Sequence, residues 1–471
     1  MASPAVDHVY RYASPSSLSG GARPRLALVT SDGPAGDSAA SAPPEPWFFS
    51  GRLVEPKVAA TALLTQGLVT RSRFSLPPAL LARIISLADP VITADGEGIR
   101  LESFSGCCGV YARTDFGGGA LDGEHRRRGT TNVDFNPPLR AALTKTSASG
   151  RALDLALGAG ELAIESGGER IVEKRVPLPL RWIKGFVEVQ AYQARMTPRF
   201  EVSGAEVRKL VRALPKQSTK GAFYLRPQGR GGVRLGQVAG RDGVRIGAPE
   251  RLRLLEPLAR FAEGLRVHAA EAAADQQACA VELLLPGDAR FSLVLSAEVW
   301  RGFSGEGQAL EALAAGAPRG LDAKLRAALS WQAQLDDSAL AARLGAKPDA
   351  VRDALTRLGA RGLVGYDLGS QRYFHRELPF DLSLLSKLQP RLAAAQALVE
   401  ANAAQVQAQK EGGATIVLVH SASSTSYRVR VLDDGARCTC PWFSKHRGER
   451  GPCKHVLAAQ MVLERAEEPQ R

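Results

Sequence analysis

The stretch CTCPWFSKHRGERGPCKH, Cys438 to His455, commits to a definite chemistry. Cys438 and Cys440 stand one residue apart, and after twelve intervening residues the same gap returns at Cys453 and His455. Four soft donors of this kind close a tetrahedral Zn²⁺ site with no position left for water, the pattern of structural rather than catalytic zinc. On a strand, side chains two apart share a face, so Cys438 and Cys440 can converge while Thr439 points away. On a helix, two residues are about 200° apart. Cys453 is therefore expected just before a helix and His455 in its first turn, with Pro452 at the boundary and Val456, Leu457, Met461 and Leu463 as the apolar stripe.

Upstream, Ser426 to Val431 (SYRVRV) alternates like a half-buried strand, and Asp433-Asp434-Gly435 reads as the turn of a hairpin whose second arm carries Cys438 and Cys440. A strand pair with CxC, followed by CxH opening a helix, resembles the SWIM zinc finger at Cys438, Cys440, Cys453 and His455. Pro441 and Trp442 agree with that family's usual surroundings. The resemblance implies bound Zn²⁺ and a role in binding DNA or protein. His446 breaks the paired spacing and is read as a loop residue.

At 471 residues the chain has room for about three domains. Six cysteines in such a length make no disulfide framework, and neither a leader-like segment nor an 18-residue apolar run is evident, so a soluble protein of the reducing cytoplasm, not a membrane protein, is expected. The net charge of +13 is concentrated. From Arg195 to Arg253, fourteen Lys and Arg face four acidic residues, which favours an anionic partner such as nucleic acid.

The expected fold class is α+β and multidomain: a mixed α/β N-terminal region, a winged-helix-like segment and a C-terminal ββα zinc finger. Residues 1–46 are expected to be flexible, with a short strand at Arg25 to Val29. An α+β domain covers 47–200, with helices at Val58 to Leu68 and Pro78 to Leu87 and strands over 154–190. Its Cys107, Cys108, Asp122 and His125 supply the residue types of a thiol nucleophile with base and orienter, but no motif surrounds them, and small buried residues on a strand are the simpler reading.

A basic α+β domain covers 201–300. Ser203 to Glu206 reads as a capping box before a short helix, a longer helix follows at Pro249 to Ala273, and two apolar strands close the domain. Within it, GVRLG (Gly232 to Gly236) and GVRIG (Gly243 to Gly247) are strands. Pairing across a turn at Ala239-Gly240 would oppose Arg234 and Arg245, a candidate phosphate contact, whereas a turn at Asp242-Gly243 would not.

Residues 320–380 give three helices and a hairpin, which resembles a winged helix-turn-helix. That implies a third helix reading DNA with Lys347, Arg352, Thr356 and Arg357, and a wing carrying Gln371 and Arg372, although Asp349 and Asp353 share the exposed face. Residues 384–410 are expected to be a helical spacer and 414–465 the finger, whose Lys445, Arg447 and Arg450 keep it basic after metal binding.

The leading expectation is a non-catalytic protein that binds nucleic acid, DNA first. Stand-alone bacterial SWIM-finger proteins, which the chain resembles over most of 8–200, imply an alternative: an adaptor for a MoxR-type AAA+ ATPase and von Willebrand A domain system, since no Walker P-loop is present.

Overall fold

The computed structural model describes residues 17–19, 25–29, 47–74, 90–125, 127–132, 135, 137–158, 180–270, 278–300, 302–303, 307, 309–310, 320–378, 390–401, 403–411, 414–420, 425–432, 435–448 and 450–467. The expected helix at Pro78 to Leu87, the turn at Asp433-Asp434 and most of the segment 1–46 lie outside these residues.

An antiparallel sheet of eight strands frames the chain. Its spatial order is Met196–Ser203, Gly264–Ala270, Cys279–Leu285, Ala289–Leu295, Val110–Phe116, Ile99–Phe104, Val91–Ala94 and Gly129–Asn132. The sheet runs straight across residue 200, so the segments 47–200 and 201–300, expected as two domains, share one core. Side chains alternate along the strands. Ile99, Leu101, Val110, Ala112, Phe291 and Leu293 face the Pro56–Arg71 helix and its neighbours, while Phe104, Tyr111 and Val294 face the opposite way. A second sheet of five strands includes Arg25–Val29, Trp47–Leu53 and Leu121–His125. Gly51 and Gly123 are partners in its register, and a Cβ on either would lie 2.4 Å from the other's Cα.

Two expectations of element type need correction. Leu180–Gln193 is a helix rather than strand, and it buries Trp182, Ile183, Phe186 and Val187 against the sheet. The segment from Pro249 to Ala273 is not one helix. It makes 3-10 turns at Pro249–Leu255 and Ala259–Phe261, then the strand Gly264–Ala270, because Pro257 and Gly264 interrupt the helical period.

Leu321–Ala327, Asp337–Leu344 and Pro348–Ala360 are helices, followed by the hairpin Val364–Asp367 and Arg372–His375. Local signals account for them. Asp336 caps the second helix by accepting from the Ala339 N–H at 2.9 Å, and Gly345 ends it with φ +64°. The hairpin is buried on the second face of the large sheet, which is ionic at its centre. Arg113 bonds Asp115 at 2.7 Å and also Asp367; Arg290 reaches Glu282 at 3.2 Å and Asp367 at 3.3 Å; Arg376 pairs with Glu102. The Arg100 guanidinium lies 4.5 Å from the Phe374 ring centroid.

His268 is fully buried on this face, and neither ring nitrogen has a hydrogen-bond partner among the described residues. Burial first, and then Arg266, push its pKa down from 6.5 to about 4. A depressed histidine pKa gives stability that is complete above the unfolded value and lost as pH falls through the folded one. Wild type is expected to lose on the order of 3 kcal/mol from this group between pH 7 and below pH 4. His268→Leu should remove that component in paired urea titrations across the range; parallel curves would show that His268 is not its source.

Among the described residues no helix is long and apolar enough to cross a membrane.

Candidate metal centre

The last module packs around Val417, Val419, Val429, Leu457 and Ala458, together with Leu392, Ala395 and Val399 from the Pro390–Glu400 helix. That helix is therefore part of the finger's core rather than a spacer. It ends at Glu400, and Ala404–Glu411, expected as its continuation, is a strand paired with Ala414–His420. The sheet continues through Ser426–Leu432 to an edge strand, Gly435–Cys438.

Cys438 closes that edge strand, and Cys440 is the residue before a short helix, Pro441–His446. The short helix includes His446, which was expected in a loop. Cys453 immediately precedes the Lys454–Glu467 helix, and His455 lies in its first turn. Cys438, Cys440, Cys453 and His455 are all buried, and their donor atoms lie within 4.8 Å of one another. His455 Nδ1 is 3.9 Å from Cys438 Sγ and 4.0 Å from Cys453 Sγ. A tetrahedral zinc with bonds of about 2.3 Å to sulfur has edges of about 3.8 Å, so these separations and the donor set fit Zn²⁺. His446 is not in the cluster.

Backbone N–H groups face the sulfurs. Cys440 N lies 3.4 Å from Cys438 Sγ, Phe443 N lies 3.3 Å from Cys440 Sγ, and Val456 N lies 3.5 Å from Cys453 Sγ. The Cys453 thiol is held below its ordinary value, first by hydrogen bonding with Cys438 and then by His455 and the Val456 N–H, which outweigh burial. The backbone N–H donors favour the thiolates that a metal needs, while hydrogen bonding to Cys453 holds the Cys438 thiol up and burial holds the Cys440 thiol up. Tyr427 covers the His455 ring, with centroids 4.5 Å apart. Arg391 clamps the loop before Cys453, donating to the Arg450 carbonyl at 2.7 Å and the Pro452 carbonyl at 2.9 Å, with its guanidinium 4.8 Å from the Trp442 ring. Four protein donors complete the coordination, so the metal's chemistry here is to hold chain segments together.

The other candidate residues are placed unequally. Arg352 is tied to Asp337 at 2.8 Å and Asp349 at 3.0 Å; Arg357 is buried against Asp322 at 2.9 Å; Arg372 pairs with Asp336 at 2.6 Å. Arg357 is thus inside the helix bundle rather than on a reading face, because Asp322 of the first helix draws it inward. The Thr356 hydroxyl meets the Tyr373 hydroxyl at 2.9 Å, and Lys347 is exposed at the start of its helix. Arg234 and Arg245 do not oppose each other. The strand Phe223–Gln228 lies between the two echoes, so Arg234 faces Arg226 and Arg245 faces Tyr224. Cys107 and Cys108 lie in a tight turn between two strands, not along one, and Cys108 has φ +55°. His125 belongs to the other sheet and packs on Phe49 at 4.8 Å, apart from that turn. In the finger, Lys445 and Arg447 are exposed, and the Arg450 guanidinium lies 5.7 Å from the Trp300 ring.

Sequence reasoning missed Arg391 and Tyr427. Alternation along SYRVRV does place Tyr427 on the face of Val429, where His455 sits, whereas nothing local marks Arg391.

Residues 427–459 match the family model for the SWIM zinc finger. Among solved structures, the chain is similar to the crystal structure of Proliferating Cellular Nuclear Antigen from Entamoeba histolytica, at 8% identity over 53% of this chain and 98% of that one, with a TM-score of 0.30. A likeness that low carries no argument. No curated protein matches the chain. With three cysteines and one histidine converging inside the matched residues, the module at 427–459 is a SWIM zinc finger that holds Zn²⁺.

Proposed function

We propose that this chain is a non-catalytic, zinc-stapled binding protein whose finger presents basic surface to nucleic acid, with DNA as the leading partner. The supporting observation is a contrast in charge pairing. The arginines offered by the winged-helix-like segment are each matched by a carboxylate, whereas Lys445 and Arg447 of the finger have no ion-pair partner among the described residues. Paired guanidinium groups must be separated from their carboxylates before they can hold phosphate, which costs affinity; unpaired ones exchange only counterions. In this reading, the three helices and buried hairpin serve to pack the large sheet, and the finger makes the contact.

Anisotropy with labelled duplex DNA tests it. Wild type is expected to bind at about 50 mM salt and to weaken steeply by about 200 mM. Arg352→Gln should bind within twofold of wild type, and Lys445→Gln/Arg447→Gln should weaken binding several-fold. Absence of binding by wild type at low salt would remove the proposal, and loss confined to Arg352→Gln would return the contact to the helix.

A further inference from the structure

The finger's sheet has two faces. Val417, Val419, Val429 and Cys438 turn inward with the metal ligands. The alternate residues of the last two strands, Arg428, Arg430 and Arg437, turn outward and are exposed. In the register of those strands Arg430 is the direct partner of Arg437. Opposed side chains on adjacent antiparallel strands stand about 5 Å apart at Cβ, and like charges there repel. Neither Arg430 nor Arg437 has an ion-pair partner among the described residues, so nothing in the described fold offsets that repulsion. Beside the pair, along the sheet's open edge, a cleft of about 410 Å³ is lined by Arg437, Arg447, Phe443 and Leu432. A third cation thus shares a cleft with one of the opposed two.

We infer that this outer face, Arg430 with Arg437 and the adjoining Arg447, is a phosphate-binding surface for the backbone of nucleic acid. The inference rests on the proposed function and assigns its contact to a particular face. A bridging phosphate would turn the repulsive pair into an attractive one, since guanidinium groups bond phosphate oxygens bidentately. Backbone contact of this kind is independent of sequence. The metal, on the opposite face, takes no part except to fix the strand that carries Arg437.

The test is a salt titration of duplex DNA binding by wild type and Arg430→Gln/Arg437→Gln, with zinc content measured on each. Each lost phosphate contact lowers the slope of log K against log salt by about 0.9, so the double variant, which removes the one bridged phosphate, is expected to lose about 0.9 from the slope with its zinc retained. Arg430→Glu/Arg437→Glu should bind more weakly still. If wild type binds and both variants match it in slope and affinity while holding zinc, the contact lies elsewhere on a protein that still binds nucleic acid, and only this inference falls. If wild type itself fails to bind, both readings fall. Polyglutamate displacing DNA as well as a charge-matched oligonucleotide would overturn the phosphate assignment in favour of an acidic protein partner.

Discussion

Cys438→Ser, or removal of metal from wild type by a chelator, is expected to unfold the module from 390 to 467 while leaving the eight-stranded sheet folded. The module's core is small, and the metal ligands are part of it: Cys438, Cys440 and Cys453 are buried among Leu392, Val417, Val429 and Leu457. Between the two ligand pairs run a six-residue helix with no buried residues and a turn in which, among the described residues, only Gly451 and Pro452 are buried, too little apolar surface to hold the segment in place. Structural zinc in finger peptides supplies an apparent 10–16 kcal/mol, roughly the stability of a whole domain. Losing one thiolate leaves the other donors converging on nothing. Bound zinc should fall from about one per chain to nearly none. Trypsin should then cut after Lys445 and Arg447, and Co²⁺ should no longer give the absorption of a tetrahedral thiolate site. Fragments that carry the strands of the eight-stranded sheet should stay protected. A chelated protein whose finger resists trypsin as before would show that packing alone holds the module.

What the sequence disclosed follows the range of the forces involved. The metal site was legible because ligand spacing is geometry: a one-residue gap works on a strand end or just before a helix, and Cys438 and Cys453 occupy those two places. The three helices before the hairpin were legible for a similar reason, since the Gly345 turn and Pro348 act within a few residues, although the cap falls on Asp336 rather than on Asp337 or Ser338 as expected. Misreadings arose where partners are distant. Trp182, Ile183, Phe186 and Val187 favour strands by residue type, yet their spacing wraps one side of a helix against the sheet. The Ala- and Gln-rich segment 404–411 favours a helix and is drawn into a strand by pairing with Ala414–His420. The echo of GVRLG and GVRIG suggested a hairpin, but both copies flank a third strand. Least legible was the ionic layer under the hairpin, whose members are separated by up to 274 positions.

Asp367→Asn is expected to destabilise the chain by about 3–5 kcal/mol, the cost of leaving buried charge without its counter-charge. Asp367 is 2% exposed and serves two strands of the sheet at once, accepting from Arg113 and from Arg290. It also accepts from the Gly369 N–H at 3.1 Å and the Ser370 hydroxyl at 2.9 Å, and so orders the tip of its own hairpin. Burial by itself would raise its pKa, but the guanidinium groups of Arg113, Arg290 and Arg100 outweigh burial and hold the carboxyl well below the usual carboxylate range. A depressed carboxylate pKa gives stability that is complete above the unfolded value near 3.8 and lost only as pH falls below it, so the full effect of the substitution is present at neutral pH. Asparagine keeps the shape, removes the charge and turns an amide toward two guanidinium groups that cannot accept from it. Asp336→Asn is the matched control. Its pair with Arg372 is exposed, asparagine caps a helix as well as aspartate does, and the change should leave the urea midpoint close to that of wild type. Urea denaturation at pH 7 of the two variants beside wild type measures the difference directly. If Asp367→Asn stays within 1 kcal/mol of the control, apolar packing of Phe374 and Leu368 holds the hairpin down, and the ionic layer contributes little beyond satisfying its own charges.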